Sequence, residues 1–189
     1  ALGLTLATPL VHGLALLLIA QVWVSDPVSA LSQGRWAALH TLSILVFGTG
    51  QMSLAAGLRG RAAGSFWPIG SGLLFAAGAS LFLVAGIFAA PGQSAPEGLT
   101  SNDPLWVVAT LVGFAMGFLQ PGLSRLSPIV GFFNTVCTVA WLLLVPAILL
   151  IGVISVGAYE RAVGMVYLVW VAGISTALLK AHPPQGDSA

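Results

Sequence analysis

Charge is what this sequence has least of. Among its 189 residues only 6 are Lys or Arg and 5 are Asp or Glu, while 58% are hydrophobic and the mean hydropathy is +1.01. A water-facing surface on a chain of this size needs roughly a quarter of its residues to be charged. The shortage excludes an ordinary water-soluble domain, and it indicates that lipid is the solvent around the chain.

Cysteine is also scarce, and neither sign of charge is in excess. The single cysteine, Cys137, lies inside an apolar run, so a disulfide framework and a thiol-based zinc site are both excluded within one chain. The net charge of +1 provides no electrostatic footprint for nucleic acid. The sequence therefore predicts no nucleic-acid partner, no metal and no cofactor.

Long hydrophobic runs are what the sequence has in abundance. They are about 17 to 25 residues long and do not alternate between polar and apolar residues, which is typical of membrane helices and not of a membrane β-barrel. We expect an all-α membrane protein, a single bundle of six transmembrane helices in which short connections make sequential helices antiparallel, with a flexible tail at 181–189. The predicted spans lie near 2–24, 37–57, 67–90, 104–120, 128–153 and 161–180.

The first of these runs has an alternative interpretation as a cleaved signal peptide. Residues 28–30 read Val-Ser-Ala, a small-residue pattern that is typical of a cleavage site. The run is longer than the apolar part of a signal peptide, has no basic segment before it, and is followed by Asp26-Pro27. These features favour a membrane span.

Three predicted boundaries pair a capping residue with a proline: Asp26-Pro27, Asp103-Pro104 and Ser127-Pro128. An Asp or Ser side chain can accept a hydrogen bond from the first turn of a helix, and proline suits the first helical position because it has no N–H to satisfy. After Asp26, Val28 and Leu31 fall on one side of a short helix that Gly34 can end. We therefore expect a short interfacial helix in the first loop, lying on the lipid headgroups.

Basic residues are distributed unevenly between the two ends of the predicted bundle. Four of the six fall at one end: Arg59, Arg61, Arg125 and Lys180. The other end receives Arg35 and Arg161 together with four acidic residues. Because cytoplasmic loops carry an excess of Lys and Arg, we expect a multi-pass protein of the cell membrane with both termini in the cytoplasm.

Tryptophans and small residues indicate how the spans pack. Trp67 lies at the end of a span and is expected in the inner membrane interface, whereas the mid-span Trp141 and Trp170 are expected to pack inside the bundle. Small residues recur every four positions at Ala109, Gly113 and Gly117, and again at Gly72, Ala76 and Ser80. Such faces let helices approach closely, either within the bundle or against another subunit.

Three stretches of the chain carry a family resemblance. They read "SDPVSALSQGRWAALHTLSILVFGTGQMSLAAGLRG", "LLFAAGASLFLVAGIFAAPG" and "YERAVGMVYLVWVAGISTALL". The chain resembles the six-span prokaryotic membrane family catalogued as domain of unknown function 998. The resemblance lies in the first loop, in the second span, which ends at a glycine and is followed by basic residues, and in the Glu-Arg that opens the last span. The resemblance covers nearly the whole chain and implies a fold without an assigned activity.

The sequence departs from that family at one pair of positions. Such proteins often have an Asp-Pro after the third span and a His at the head of the fourth, whereas this sequence has Ala90-Pro91 and Trp106. Any metal or proton role that the family derives from that pair is therefore in doubt here.

Polar residues inside the spans are the candidates for chemistry. No Asp, Glu, Lys or Arg falls in the middle third of a predicted span, which argues against a carboxylate-based ion relay. Counting about 1.5 Å per residue places His12, Gln51, Asn134 and Thr138 near the centre or in the inner half of the bilayer. They form a candidate pocket with His12 as its titrating member. The alternative is that these side chains form interhelical hydrogen bonds that determine packing.

Two further pairs lie near the outer ends of the predicted spans. Gln21 and His40 are at matching depth on adjacent spans, where an amide–imidazole hydrogen bond would anchor the interface, and a metal site would need further ligands. Arg35 and Arg161 are candidates for binding an anionic lipid headgroup. The alternative for Arg161 is an ion pair with a nearby acidic residue that joins the outer loops.

No hydrolase, zinc-protease or nucleotide-binding motif is present in the sequence. We therefore expect a non-enzymatic integral membrane protein, either an accessory or structural subunit of a membrane assembly or a lipid-binding module. Its partners would be membrane lipids and other membrane subunits. The alternative is a small-molecule transporter or channel that uses the pocket around His12.

Overall fold

The computed structural model describes residues 37–60, 64–88, 103–150 and 156–180, and these ranges are helical with short turns and contain no strand. The first predicted span, the predicted interfacial helix and the tail lie outside the described residues. The helices are α1 (Ala37–Arg59), α2 (Trp67–Phe88), α3 (Asp103–Leu126), α4 (Pro128–Leu144), a 3₁₀ helix (Val145–Leu150) and α5 (Val156–Lys180). Five segments among them are long and apolar enough to cross a bilayer, which identifies a helical membrane protein.

Consecutive helices pack side by side in opposite directions. Gln51 of α1 bonds to Leu74 of α2, and Leu58, nearer the end of α1, bonds to Trp67 at the start of α2. Gly122, near the end of α3, lies against Trp67 at the start of α2, so these two helices are also antiparallel. The same order holds between α3 and α4, by the bonds of Trp141 to Ala109 and of Asn134 to Met116, and between α4 and α5, where Asn134 bonds to Trp170 and Val145 to Tyr159. The helices α1, α3 and α5 therefore run in one direction, and a contact between the Phe47 and Tyr167 rings joins α1 to α5.

Glycines determine how closely neighbouring helices approach. Between α1 and α2, a Cβ on Gly48 would meet the carbonyl oxygen of Gly78 at 2.9 Å, and a Cβ on Gly78 would meet that of Gly48 at the same distance. On α3, Gly122 lies directly against the Trp67 ring, and on α5, Gly173 lies against the Phe133 ring. Helices in lipid gain no hydrophobic driving force for association. The van der Waals contact of closely approaching backbones holds them together instead.

The helix ends differ from the predicted span ends at three places. Helix α3 continues past residue 120 to Leu126 although Pro121 lies inside it. The fifth predicted span changes from α-helix to 3₁₀ helix at Val145, because Pro146 cannot donate the next α-helical hydrogen bond. Helix α5 begins at Val156, before the predicted Arg161, and the Tyr159 hydroxyl in its first turns donates to the Val145 carbonyl at 3.0 Å.

The proline-headed boundaries are only partly as predicted. Helix α3 begins at Asp103, and Ser127 is the N-cap of α4 with Pro128 directly after it. The backbone of Ser127 is extended, with φ −164° and ψ 132°, but its side chain makes no capping hydrogen bond. Backbone geometry and proline, and not a side-chain cap, therefore begin α4.

The buried core contains three tryptophans. Trp141 and Trp170 are buried as the sequence predicted. Trp67 begins its apolar segment, as the sequence predicted, but its side chain is 1% exposed and its indole N–H donates to the Leu58 carbonyl at 2.5 Å. Gly122 on α3 makes the space for the ring, so Trp67 joins the α1–α2 turn to α3.

Candidate functional site

A fully buried asparagine is the centre of the polar interior. Asn134 on α4 is 0% exposed, and its Nδ2 donates to the Met116 carbonyl at 3.1 Å and to Gln120 Oε1 at 2.5 Å. Its Oδ1 accepts from Trp170 Nε1 at 2.7 Å. One side chain thus uses both its donor and its acceptor group to connect α3, α4 and α5.

Gln120 is a member of this network that the sequence reasoning missed. Its Nε2 donates to Ser124 Oγ at 3.0 Å and to the Gly131 carbonyl at 3.1 Å, while its Oε1 accepts from Asn134. A glutamine directly before Pro121 resembles the end of a span, and this is why the prediction ended the span there. The signal that would have identified it is the spacing of Gln120 and Ser124, four residues apart on one helix face.

The predicted pocket residues are only partly brought together. Thr138 lies one turn beyond Asn134, and its hydroxyl donates to the Asn134 carbonyl at 2.8 Å. Gln51, on α1, donates instead to the Leu74 carbonyl of α2 at 3.2 Å. His12 lies outside the described residues, so the four-residue pocket and the transport path that would use it stay predictions.

A lateral groove lies between α3 and α4. Its volume is about 500 Å³, which is within the range of about 300–1,000 Å³ that is usual for ligand pockets. Phe114 and Leu142 are 57% and 61% exposed, so the groove opens on the outer surface of the bundle. The lining residues are Ala109, Thr110, Gly113, Phe114, Gly117, Phe118, Thr138, Trp141, Leu142, Val145 and Pro146.

The predicted small-residue face of α3 forms the floor of this groove. At the end nearer the start of α3, which we call the upper end, the Trp141 indole donates to the Ala109 carbonyl at 3.0 Å. A Cβ on Gly113 would meet the same indole at 3.0 Å. At its lower end a Cβ on Gly117 would meet nothing within 4 Å. The face is therefore internal where Trp141 covers it and open at Gly117.

Polar atoms in the groove are few. Thr110 and Thr138 are its hydroxyl-bearing residues, and Thr138 is the one predicted pocket residue that lies on it. Two lining residues, Gly117 and Leu142, stand four positions before Pro121 and Pro146. Because proline has no N–H, their carbonyls lack the usual α-helical donor. The groove thus combines apolar walls with a small number of hydrogen-bonding positions, the composition of a binding site for an apolar molecule.

The other predicted site residues lie apart from the groove. His40 is half-buried near the start of α1, and Arg161 is half-buried in α5. Gln21 and Arg35 lie outside the described residues, so the outer interface pair and the headgroup-binding pair stay predictions. Within the described ranges, no three His, Cys, Asp or Glu side chains are grouped as a metal site would require.

Comparison with protein families, with curated proteins and with solved structures gives no match to this chain. The resemblance to the family of domain of unknown function 998 accordingly stays a prediction.

Proposed function

We propose that this chain is a non-enzymatic lipid-binding protein of the membrane, and that the groove between α3 and α4 holds the acyl chain of a membrane lipid. The groove itself is the observation that carries the proposal. It is long and apolar, it opens toward the surrounding lipid, and its floor at Gly117 is free for contact. An acyl chain needs only such van der Waals contact along its length.

The dimensions and depth of the groove suit one acyl chain. From Ala109 to Phe118 it follows ten residues of α3, which are nine steps of 1.5 Å or about 13.5 Å. Its upper end lies six residues, about 9 Å, below the start of α3 at Asp103, and its lower end is near mid-membrane. The lipid would therefore come from the leaflet nearest the start of α3, and Thr110 would lie close to its polar linkage.

The finer topology is part of the same proposal. Six spans, with 2–24 as the first and a short interfacial helix after it, place the two termini on one side of the membrane. The last turns of α1, α3 and α5 contain Arg59, Arg125 and Lys180, which supports a cytoplasmic location for this end of the bundle. Cations at helix C-termini also interact favourably with the helix dipole.

A pair of glycine substitutions tests the groove. Gly117→Leu would fill its lower end, and Gly72→Leu is the matched control, because a Cβ at either glycine meets nothing within 4 Å but Gly72 lies on α2 away from the groove. The protein and both variants are purified from native membranes in mild detergent and examined by native mass spectrometry. We expect a stoichiometric lipid on the unaltered protein and on Gly72→Leu, and at least a several-fold loss of lipid from Gly117→Leu.

Two outcomes would overturn the lipid assignment. Equal lipid content in all three proteins, or lipid-free protein throughout, would remove the groove as a lipid site. A stoichiometric polypeptide that is lost with Gly117→Leu would instead identify a subunit of a larger membrane assembly, with the groove as its docking surface.

A further inference from the structure

Three buried polar atoms have no hydrogen-bond partner among the described residues. They are Oε1 of Gln51, the hydroxyl of Tyr167 and the hydroxyl of Ser175. Their side chains are 2%, 4% and 0% exposed. All three lie on α1 or α5, which contribute no lining residue to the groove between α3 and α4, although the Tyr167 ring is 5.9 Å from the ring of Trp141, which lines it.

Several other side-chain hydroxyls of the described helices are satisfied within their own helix, including the buried Ser71, which donates to the Pro68 carbonyl at 3.2 Å. Thr49 donates to the Leu45 carbonyl at 2.8 Å, and Thr176 donates to the Ala172 carbonyl at 2.7 Å, each within its own helix. An amide or hydroxyl that is buried without a partner lowers stability, because it loses its hydrogen bonds to water and gains none in the protein. Three such atoms in one bundle therefore need an explanation, and a bound molecule that satisfies them is the usual one.

All three atoms lie on α1 or α5, two helices that contact each other through the Phe47 and Tyr167 rings, and we call the space between these helices the α1–α5 seam. These helices run in the same direction, and the Phe47 and Tyr167 rings, with centroids 5.0 Å apart, set their relative depth. Gln51 lies one turn beyond Phe47, about 6 Å, and Ser175 lies two turns beyond Tyr167, about 12 Å. Counted along the helix axes, Gln51 is thus at a depth between Tyr167 and Ser175, about 6 Å from each.

We propose that the α1–α5 seam is an internal binding site for water, with the Gln51 amide between the Tyr167 and Ser175 hydroxyls. The three groups are neutral: the amide oxygen can only accept, and each hydroxyl can donate and accept. A small neutral molecule with two donors and two acceptors complements this set. Water meets that description, and buried waters usually bind two to four such protein groups.

Removal of each hydroxyl by itself tests the site. Tyr167→Phe and Ser175→Ala delete only the unpaired oxygen, and the double variant completes a cycle. If water is bound, each substitution lowers the folding equilibrium constant several-fold, and the double variant loses less than the product of the two losses. Unfolding is followed by titration with a denaturing detergent. Thr176→Val, which removes a hydroxyl satisfied within α5, is the control and should change stability little.

A dry seam predicts the opposite sign. Deleting a buried hydroxyl that has no partner removes a desolvation cost, so Tyr167→Phe and Ser175→Ala would then leave stability unchanged or increase it. Either result would overturn the proposal. Because Tyr167→Phe keeps the ring that packs against Trp141 and Ser175→Ala lies outside the groove lining, their outcome is independent of lipid binding.

Hydroxyl-radical footprinting in lipid nanodiscs provides a second readout that does not depend on stability. Tyr167 and Trp170 are both buried and their rings are stacked 5.9 Å apart, but the Trp170 N–H is already bonded to Asn134. Radicals form from water, so we expect Tyr167 to be labelled several-fold faster than Trp170, although indole is the more reactive ring. Labelling of neither residue, or of both equally, would contradict a localised water site.

Discussion

Asn134 shows at the scale of one residue how a polar group is accommodated in the interior of a membrane bundle. Its amide bonds to Met116 and Gln120 on α3 and to Trp170 on α5. Each bond replaces an interaction with water that the bilayer cannot provide. A side chain that the sequence marked as a pocket candidate is thus, in the described bundle, the link between three helices.

Replacing Asn134 by Leu should destabilise the bundle. The change leaves the buried Trp170 N–H and the part-buried Gln120 Oε1 without this partner, and we expect a loss of about 1–3 kcal/mol in the free energy of unfolding. Thr135→Val is the control, because Thr135 donates to the Gly131 carbonyl of its own helix. Detergent-induced unfolding measures both, and equal stability of the two variants would show that the network contributes nothing.

Gly122 should not tolerate even a methyl group. A Cβ at this position would overlap the Trp67 ring, which is itself held by its bond to Leu58, so neither partner can move freely. We expect Gly122→Ala to cost about 1–3 kcal/mol through overpacking. Gly117→Ala, where a Cβ meets nothing within 4 Å, should be neutral or slightly stabilising. Thermal unfolding in one detergent compares the two, and similar melting temperatures would contradict the assignment.

At the scale of elements, α4 is the most lipid-exposed of the described helices. Only 22% of its span is buried, against 39–44% for the other four spans. Large apolar side chains cover its outer face: Ile129, Phe132, Val136, Val139 and Leu143, which are 50–80% exposed. In water such a face would be a liability, whereas in lipid it is solvated, so α4 can form one wall of an open groove.

The end of α4 should depend on Pro146. Replacing Pro146 by Ala restores a donor for the Leu142 carbonyl, and we expect the α-helix to continue through the 3₁₀ segment Val145–Leu150. Slower amide hydrogen exchange in peptides covering this segment would report the change. Pro121→Ala is the control, since α3 is already α-helical on both sides of Pro121. Unchanged exchange at 145–150 would assign the 3₁₀ helix to tertiary contacts such as the Tyr159–Val145 bond.

At the scale of the whole molecule, one end of the described bundle is basic. The parallel helices α1, α3 and α5 all end there, each with a basic residue in its last turn. The positive-inside rule and the helix dipoles favour the same orientation, because both place cations at this end.

Single cysteines at opposite ends test this orientation. In a protein in which Cys137 is replaced by Ala, Ser65→Cys introduces a thiol in the exposed α1–α2 turn at the basic end, and Ala38→Cys introduces one at the start of α1. A membrane-impermeant maleimide applied to intact cells should label Ala38→Cys but not Ser65→Cys. Lysed cells, in which both should react, are the control. Labelling of Ser65→Cys alone in intact cells would reverse the orientation.

Much of the helical framework was predictable, while side-chain partners were not. Hydrophobic runs located the described helices to within several residues, and the mid-span Trp141 and Trp170 are buried as expected. The burial of Trp67 was not predictable, because it depends on Gly122, the residue on another helix that makes room for its ring. Gln120 was missed for a similar reason, since its partners Asn134 and Gly131 are on another helix.

The sequence by itself determined that lipid surrounds the chain and that the chain is helical. Scarce charge and long apolar runs are local properties, and a helix in lipid is the stable form for such runs. Only the tertiary structure decided which way each helix faces. The small-residue face at Ala109, Gly113 and Gly117 could have packed internally or externally, and it does both, covered by Trp141 at one end and open at the other. Rotation about a helix axis depends on the neighbours, and a uniformly apolar helix carries little information about them.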